Sequence, residues 1–121
     1  MPPPILLASA SPRRSELLRQ IGIAHEVRPV ALDESVRAGE APAAYVLRLA
    51  EAKARTLWER LAAHERRPVL AADTTVALEG EIFGKPADAA ESRAMLQRLS
   101  GRTHQVHTAV ALVHANGAAA R

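Results

Sequence analysis

The fold of this chain is decided by a segment near its start, which reads ILLASASPRR at residues 5–14. Ile5 to Ala8 form a short apolar run that predicts a buried strand, and Ser9-Ala10-Ser11 form the loop after it. Ser11 is a good N-cap, and Pro12 suits the first position of a helix. The segment therefore predicts a strand that leads directly into a capped helix, as expected of an α/β domain.

The same segment has the properties of an anion site. The hydroxyl groups of Ser9 and Ser11 converge, after the strand, with the free N–H groups and the positive dipole end of the helix. Arg13 and Arg14 fall in the first helical turn and add two guanidinium groups. Phosphate is the ligand that this arrangement favours. Taken alone, the segment is also explained by an ordinary capped helix start.

A lysine on an apolar helix face is the second informative feature. Pro42 begins a predicted helix in which Val46, Leu49 and Leu57 share one stripe at the 3.6-residue period. Lys53 falls on that stripe, where a lysine must either snorkel to solvent or have a partner. Two interpretations stay open: a snorkelling residue, or a pocket lysine that neutralises a phosphate.

A carboxylate inside an apolar run is the third feature. The run from Val69 to Leu78 is interrupted only by Asp73-Thr74-Thr75, and Glu79-Gly80 then turns the chain into Glu81-Ile82-Phe83. Burying an unpaired carboxylate there would be costly. Asp73 is therefore either a structural residue with a partner, or a catalytic carboxylate or metal ligand.

The last part of the chain predicts one more helix and one more strand. Asp88 and Glu91 match a capping box, and the helix they begin carries Met95 and Leu99 inward. Residues 106–112 alternate as a strand up to Asn116-Gly117, a strong hairpin signal. Because only four residues follow, we expect the returning strand to be missing. Residues 1–121 would then be a single α/β domain whose C-terminal part is missing.

Composition excludes several classes of function. With 48% apolar residues and no cysteine, the chain can build one core but no disulfide, thiolate zinc site or cysteine nucleophile. We find no signal sequence and no apolar stretch near the roughly 20 residues of a spanning helix, so we expect a cytoplasmic protein without a membrane partner. The net charge of +3 is spread along the chain, and aromatics make up 2%, which does not favour nucleic-acid binding.

Together the polar features indicate a polyphosphate ligand. Lys53 and Lys85 are the only lysines, and Gly84 and Pro86 would hold Lys85 in a fixed loop. Such cations would neutralise phosphate oxygens, while carboxylates such as Glu34 and Asp73 would hold a hard divalent cation, Mg²⁺ or Mn²⁺. Taken singly, Glu34 and Lys85 are also explained as solvated loop residues. The sequence contains neither a P-loop nor a Gly-x-Gly-x-x-Gly motif.

At this point the order of the motifs resembles that of the Maf family, over essentially the whole chain. The matching segments are residues 7–14 with Leu17-Leu18, Asp33-Glu34, residues 48–54, Ala72-Asp73-Thr74, Gly84-Lys85-Pro86, and residues 99–106 with Thr108. One such motif would be weak evidence, whereas six in order are strong. The resemblance implies an inosine triphosphate pyrophosphatase-like fold, with a mixed sheet, flanking helices and a cleft between two lobes.

The resemblance also implies an activity and roles for individual residues. Maf proteins are nucleoside triphosphate pyrophosphatases that cleave between the α- and β-phosphates with a divalent metal. By this resemblance, Asp73 would accept the proton of the attacking water, and Glu34 would carry the metal with Asp73. The hydroxyl and basic groups that would hold the triphosphate are those of Ser9, Ser11, Arg13, Arg14, Lys53 and Lys85.

Arg13 and Thr74 match the Maf subfamily that acts on dTTP and UTP. Members that prefer 7-methyl-GTP carry a bulky apolar residue and a glutamine at these positions. We therefore expect hydrolysis of dTTP and UTP, with a 7-methyl-GTP pyrophosphatase as an alternative. A further specificity glutamine belongs to a segment that this chain lacks. The family's septum-formation name implies another alternative, a non-catalytic nucleotide-binding or cell-division regulatory protein, and a homodimer stays open.

Overall fold

The computed structural model describes residues 3–83, 88–101, 104–115 and 117–121. In chain order, its helices and strands are β1 (Ile5–Leu7), α1 (Pro12–Gln20), β2 (His25–Val27), α2 (Pro42–Arg60), β3 (Val69–Leu78), β4 (Glu81–Phe83), α3 (Ala89–Leu99), β5 (Gln105–His114) and β6 (Gly117–Ala120). A short 3-10 turn at Ala63–Glu65 separates α2 from β3. No helix in these described ranges is long and apolar enough to cross a membrane.

All of these strands join one mixed sheet, which confirms the predicted α/β class. Its order is β2-β1-β3-β5-β6, and β4 pairs with β3 outside this path. β1 runs parallel to β2 and β3, whereas β3 pairs antiparallel with β4 and β5. The central strand is β3, which contains the interrupted apolar run of the sequence.

One edge of β3 has a gap in its pairing. On one side, β5 accompanies β3 from Val69 to Ala77. On the other side, β1 pairs only at Val69 and Leu70, and β4 pairs only from Val76 to Leu78. Between these two stretches no strand of the described chain pairs with this edge. Asp73 and Thr74 therefore lie where the sheet is open, and the loop after β1 reaches this opening.

Helix α2 covers one face of the sheet and forms the core with it. Its predicted stripe is confirmed, because Val46, Leu49 and Leu57 are all buried, together with Val69 of β3 and Ala111 of β5. The apolar residues thus remove the α2 face of β3 and β5 from water, which is the main favourable contribution to folding.

The opposite face of β3 and β5 is open to solvent in the described structure. Side chains alternate along β5, so Ala109 and Ala111 face α2, whereas Val106, Val110 and Leu112 are exposed. The predicted alternation of this strand is correct. It places Val106, Val110 and Leu112 on the uncovered face, while Val113 is buried on the α2 face.

The signals at the ends of the elements are largely confirmed. The Ser11 side chain accepts a hydrogen bond from the N–H of Arg14, and Gly22 follows α1 with a φ of 77°. The turn between β3 and β4 has positive φ at both Glu79 (52°) and Gly80 (82°), as a tight hairpin turn requires.

Helix α3 differs in part from the prediction. Asp88 caps it by accepting a hydrogen bond of 2.8 Å from the N–H of Glu91, as predicted. However, α3 has no fully buried residue, and Met95 and Leu99 are only partly covered. The face of α3 that was predicted to point inward is therefore only partly covered, since no described element packs closely over it.

One prediction at the end of the chain is wrong. The returning strand after the last hairpin signal is present as β6, which pairs antiparallel with β5 from His114↔Gly117 to Ala111↔Ala120. Four residues are enough because the ladder is made by backbone groups and the small side chains of Ala118 and Ala119 fit without a core of their own. Asn116 lies outside the described residues.

Candidate active site

The gap in β3 presents two neighbouring residues on opposite faces of the sheet. Asp73 points to the α2 face and is 7% exposed, whereas Thr74 points to the open face. A ligand that enters the gap can therefore contact a carboxylate on one side of the strand and a hydroxyl on the other.

On the α2 face, Lys53 joins two carboxylates. Its Nζ donates to Oδ1 of Asp73 at 2.9 Å and lies 3.1 Å from Oε1 of Glu34. The side chain of Lys53 is 13% exposed and that of Asp73 10%. This contact gives Lys53 the partner that its place on an apolar stripe requires, and it gives Asp73 the partner that its burial requires. Neutralisation of a phosphate by Lys53 stays a prediction. With both carboxylates ionised, the group keeps one excess negative charge.

The loop that carries Glu34 is held by α2. The hydroxyl of Tyr45 donates to the backbone carbonyl of Glu34 at 2.5 Å, and Nη2 of Arg48 donates to the carbonyl of Ser35 at 2.9 Å. Arg48 is itself fixed by Glu40, through Nε to Oε2 at 2.7 Å and Nη2 to Oε1 at 2.9 Å. Hydrogen bonding to this guanidinium lowers the pKa of Glu40 to about 2. One helix thus positions both Lys53 and the carboxylate it contacts.

The two acidic residues of this loop have different surroundings. Oδ1 of Asp33 accepts hydrogen bonds from the hydroxyl and the backbone N–H of Ser35, and these bonds lower the pKa of Asp33. Asp33 thereby closes a local turn, while Glu34 extends toward Lys53. Burial raises the pKa of Tyr45, and the negative charges of Asp73 and Glu34 raise it further, so its hydroxyl stays a proton donor.

Hydroxyl groups and one guanidinium at the start of α1 lie close to the unpaired stretch of β3. Oγ of Ser9 accepts from the N–H of Ser11 at 3.1 Å and from Nη1 of Arg14 at 3.3 Å. Nη2 of Arg14 donates to Oγ1 of Thr74 at 3.3 Å, and that oxygen lies 3.0 Å from Oγ1 of Thr108. Arg14 therefore links the loop after β1 to the open face of β3.

Some of these groups, together with Glu34 and Lys53, line a cleft of about 200 Å³. The residues that line it are Ala8, Ser9, Ala10, Ser11, Arg14, Val30, Glu34 and Lys53. Its polar lining combines the hydroxyls of Ser9 and Ser11 and the guanidinium of Arg14 with the ion pair of Lys53 and Glu34. An anion with an associated cation would complement this distribution of charge.

One of the predicted phosphate-binding residues, Arg13, stands apart from this cleft. Arg13 is exposed and lines a neighbouring depression with Ser15 and Arg19, and Ser11 lines both hollows. Lys85 lies outside the described residues. The remaining predicted side chains form two groups of contacts. Ser9, Ser11, Arg14 and Thr74 are joined by hydrogen bonds, and Lys53 pairs with Glu34 and Asp73. Both groups contribute side chains to the lining of the cleft.

The carboxylates fit a hard divalent cation. Within the described ranges no group of three or more His, Cys, Asp or Glu side chains is placed to hold a metal. Glu34 and Asp73 nevertheless both face a single cation, the ammonium of Lys53. Mg²⁺ is commonly bound by one or two carboxylates together with substrate phosphate oxygens and waters. A two-carboxylate donor set is therefore sufficient.

Three residues of this site were not predicted from the sequence. Tyr45 and Arg48 interrupt the apolar character of α2 on the turns before Lys53, and this was the available signal for their contact with the Glu34 loop. Thr108 stands beside one of the segments that resemble the Maf family, but no local pattern predicted its contact with Thr74, because that contact follows from the register of two strands that are far apart in the chain.

Comparison with known proteins gives consistent matches over nearly the whole chain. The sequence model of the Maf-like protein family matches residues 4–121. A dTTP/UTP pyrophosphatase from Myxococcus xanthus is 57% identical over 108 residues, which are 89% of this chain and 54% of that protein. A dTTP/UTP pyrophosphatase from Burkholderia pseudomallei is 52% identical and covers 95% of this chain and 59% of that protein. The chain thus spans about half the length of the curated relatives it matches.

Solved structures support the fold. A nucleoside-triphosphatase (dITP/XTP pyrophosphatase) from Mycobacterium abscessus superposes with a TM-score of 0.59 at 21% identity, covering 97% of this chain and 69% of that one. The Ham1 protein of Staphylococcus aureus gives a TM-score of 0.57 at 17% identity, covering 96% and 66%. These matches confirm the predicted inosine triphosphate pyrophosphatase-like architecture.

Proposed function

The chain belongs to the Maf-like protein family, and on this basis we propose that it hydrolyses dTTP and UTP to the nucleoside monophosphate and pyrophosphate. The observation that carries the proposal is the pairing of Lys53 with Asp73 and Glu34 beside a cleft lined by Ser9 and Arg14. The names of the similar dTTP/UTP pyrophosphatases support the choice of nucleotides.

Binding of the triphosphate is the role of the basic and hydroxyl groups. The two guanidinium contacts of Arg14, to Ser9 and Thr74, are both 3.3 Å long. Charge-assisted hydrogen bonds to phosphate are shorter, about 2.7–2.9 Å, and stronger. Arg14 can therefore exchange its contact with Ser9 for a phosphate oxygen at little cost. Lys53 also lines the cleft, and Arg13 and Lys85 complete the set by resemblance to the family.

Proton transfer is the role of Asp73. Lys53 engages its Oδ1, so we assign to Oδ2 the acceptance of the proton from the attacking water. The water oxygen then bonds to the α-phosphorus, and the bond from this phosphorus to the oxygen that bridges the α- and β-phosphates breaks. Pyrophosphate leaves, and the basic groups neutralise its added charge. Glu34 and Asp73 would hold a divalent cation, Mg²⁺ or Mn²⁺, which supplies further neutralisation of the phosphate oxygens.

Selection among nucleotides is the role of Arg13 and Thr74. Both match the pyrimidine-specific pattern, and Thr74 stands exposed on the open face of β3. A 7-methyl-GTP preference would require different side chains at both positions.

The direct test is release of pyrophosphate from dTTP, UTP and 7-methyl-GTP with Mg²⁺ or Mn²⁺. We expect turnover of dTTP and UTP, and its loss in Asp73→Asn. The matched control is Glu59→Gln, which neutralises an exposed carboxylate on α2 outside the site. Nucleotide binding without product in the wild-type chain would contradict the enzymatic proposal and favour a binding protein. Normal turnover in Asp73→Asn would contradict the role of Asp73.

A further inference from the structure

We propose that Thr108 is a positioning residue for nucleotide selection: its hydroxyl orients the side chain of Thr74 and, through it, the guanidinium of Arg14. The part that concerns nucleotides rests on the proposed function. The part that concerns orientation rests on the contacts alone.

The register of the sheet places the two threonines together. In the antiparallel pairing of β3 and β5, Thr74 lies directly opposite Thr108, and their Oγ1 atoms are 3.0 Å apart. Such directly opposed pairs are the closest side-chain neighbours in an antiparallel sheet. Both side chains project from the open face, beside the gap, while Asp73 lies on the other face. The pair therefore forms the second wall that an incoming nucleotide would contact.

The hydrogens of this network can be counted. Arg14 is always a donor, so Oγ1 of Thr74 accepts from its Nη2. Each threonine hydroxyl has one proton, and one of the two protons is used in the contact between them. Whichever threonine donates, one hydroxyl proton of the pair is left to bind a ligand oxygen. Without the Thr108 hydroxyl, Thr74 would keep only the long contact to Arg14, and its rotamer would be less restricted.

The role of the hydroxyl can be separated from any role in folding. Thr108 is exposed on a face that already carries Val106 and Val110 on the same strand. Valine has nearly the shape of threonine and is well suited to strands. Thr108→Val therefore removes the hydroxyl while keeping the shape of the side chain, and Thr108→Ser keeps the hydroxyl. The matched control is Val110→Thr, the reverse change two residues along the same face.

The first experiment measures the affinity of α,β-imido analogues of dTTP and dGTP, which cannot be cleaved between these phosphates. We expect Thr108→Val to weaken dTTP-analogue binding about three- to tenfold, the usual effect of one lost hydrogen bond, and to weaken the dGTP analogue less. Thr108→Ser should bind as the wild type does, and so should Val110→Thr. In a Thr74→Val background, Thr108→Val should have no further effect. Additive losses, or failure of serine to rescue, would overturn the proposal.

The second experiment does not depend on a nucleotide. We expect the Nε–Hε NMR signal of Arg14 to shift in Thr108→Val and in Thr74→Val, and to keep its position in Thr108→Ser and Val110→Thr. An unchanged signal in Thr108→Val would refute the orienting role. If the wild-type chain binds neither analogue, the proposed function and the selecting role fail together, and this measurement still decides whether Thr108 orients Arg14.

Discussion

The ammonium of Lys53 lies 2.9 Å from Oδ1 of Asp73, although the two residues are 20 positions apart on different elements. Each explains the other's location, since a lysine on an apolar helix stripe and a carboxylate inside an apolar strand would both be costly if unpaired. Replacing both charged side chains by neutral ones should therefore lower the free energy of unfolding less than replacing only one of them.

Removal of the Lys53 charge should lower both stability and activity, and a second substitution at Asp73 should restore only the stability. In Lys53→Met, Asp73 and Glu34 lose their shared cation, so we expect the free energy of unfolding to fall by about 2 kcal/mol. This is below the usual cost of a broken buried pair because the cleft admits water. Urea denaturation would measure it. Lys53→Met combined with Asp73→Asn should regain most of the loss while staying inactive. A double variant less stable than Lys53→Met would contradict this coupling.

Replacement of the Glu34 carboxylate should mainly affect the divalent cation. The side chain of Glu34 is 40% exposed, so Glu34→Gln should change the free energy of unfolding little. We expect Mn²⁺ binding to be weaker by at least about tenfold, since even the loss of an outer-shell partner of a metal ligand typically costs about 10- to 100-fold; electron paramagnetic resonance measures the affinity. Glu59→Gln is the control and should bind Mn²⁺ like the wild type. Equal Mn²⁺ affinity in Glu34→Gln and the wild type would remove Glu34 from the cation site.

The hydroxyl of Tyr45 should contribute both to the stability of the fold and to the affinity of the site for a divalent cation. Tyr45→Phe keeps the buried ring and deletes only the donor to the Glu34 carbonyl. We expect a loss of about 1 kcal/mol of stability and, because the Glu34 loop is then held less firmly, weaker Mn²⁺ binding. Thermal unfolding and metal titration measure the two effects. Weaker stability with unchanged metal affinity would show that the loop does not need this anchor.

The Glu40–Arg48 ion pair should produce a defined pH dependence. The folded-state pKa of Glu40, about 2, lies below its ordinary value of 4.5. The pair therefore contributes its full stability above pH 4.5, and the contribution is lost as the pH falls through about 2. We expect the Tm difference between the wild type and Glu40→Gln to be largest near neutral pH and to shrink between these two values. A difference that grows toward low pH would contradict this.

Much of the site could be predicted from the sequence because its residues follow local signals. Ser11 and Pro12 mark a helix start, and the interrupted apolar run at Asp73 marks a strand that contains a buried carboxylate. The predictions were less successful where the outcome depends on what packs against an element. The strand β6 forms although few residues were available for it, and α3 is less covered than its periodicity indicated.

By itself, then, the sequence determined the types and order of most of the elements, the capped start of the first helix and the family, because capping, periodicity and motif order are properties of neighbouring residues. Only the tertiary structure decided which groups meet. The pairing of β3 with β1 and β4 at separate places opens the gap at Asp73. The packing of α2 brings Lys53 to that carboxylate, and the register of β5 sets Thr108 against Thr74. These contacts arise because burial of apolar surface fixes the relative positions of distant segments, and no local pattern encodes those distances.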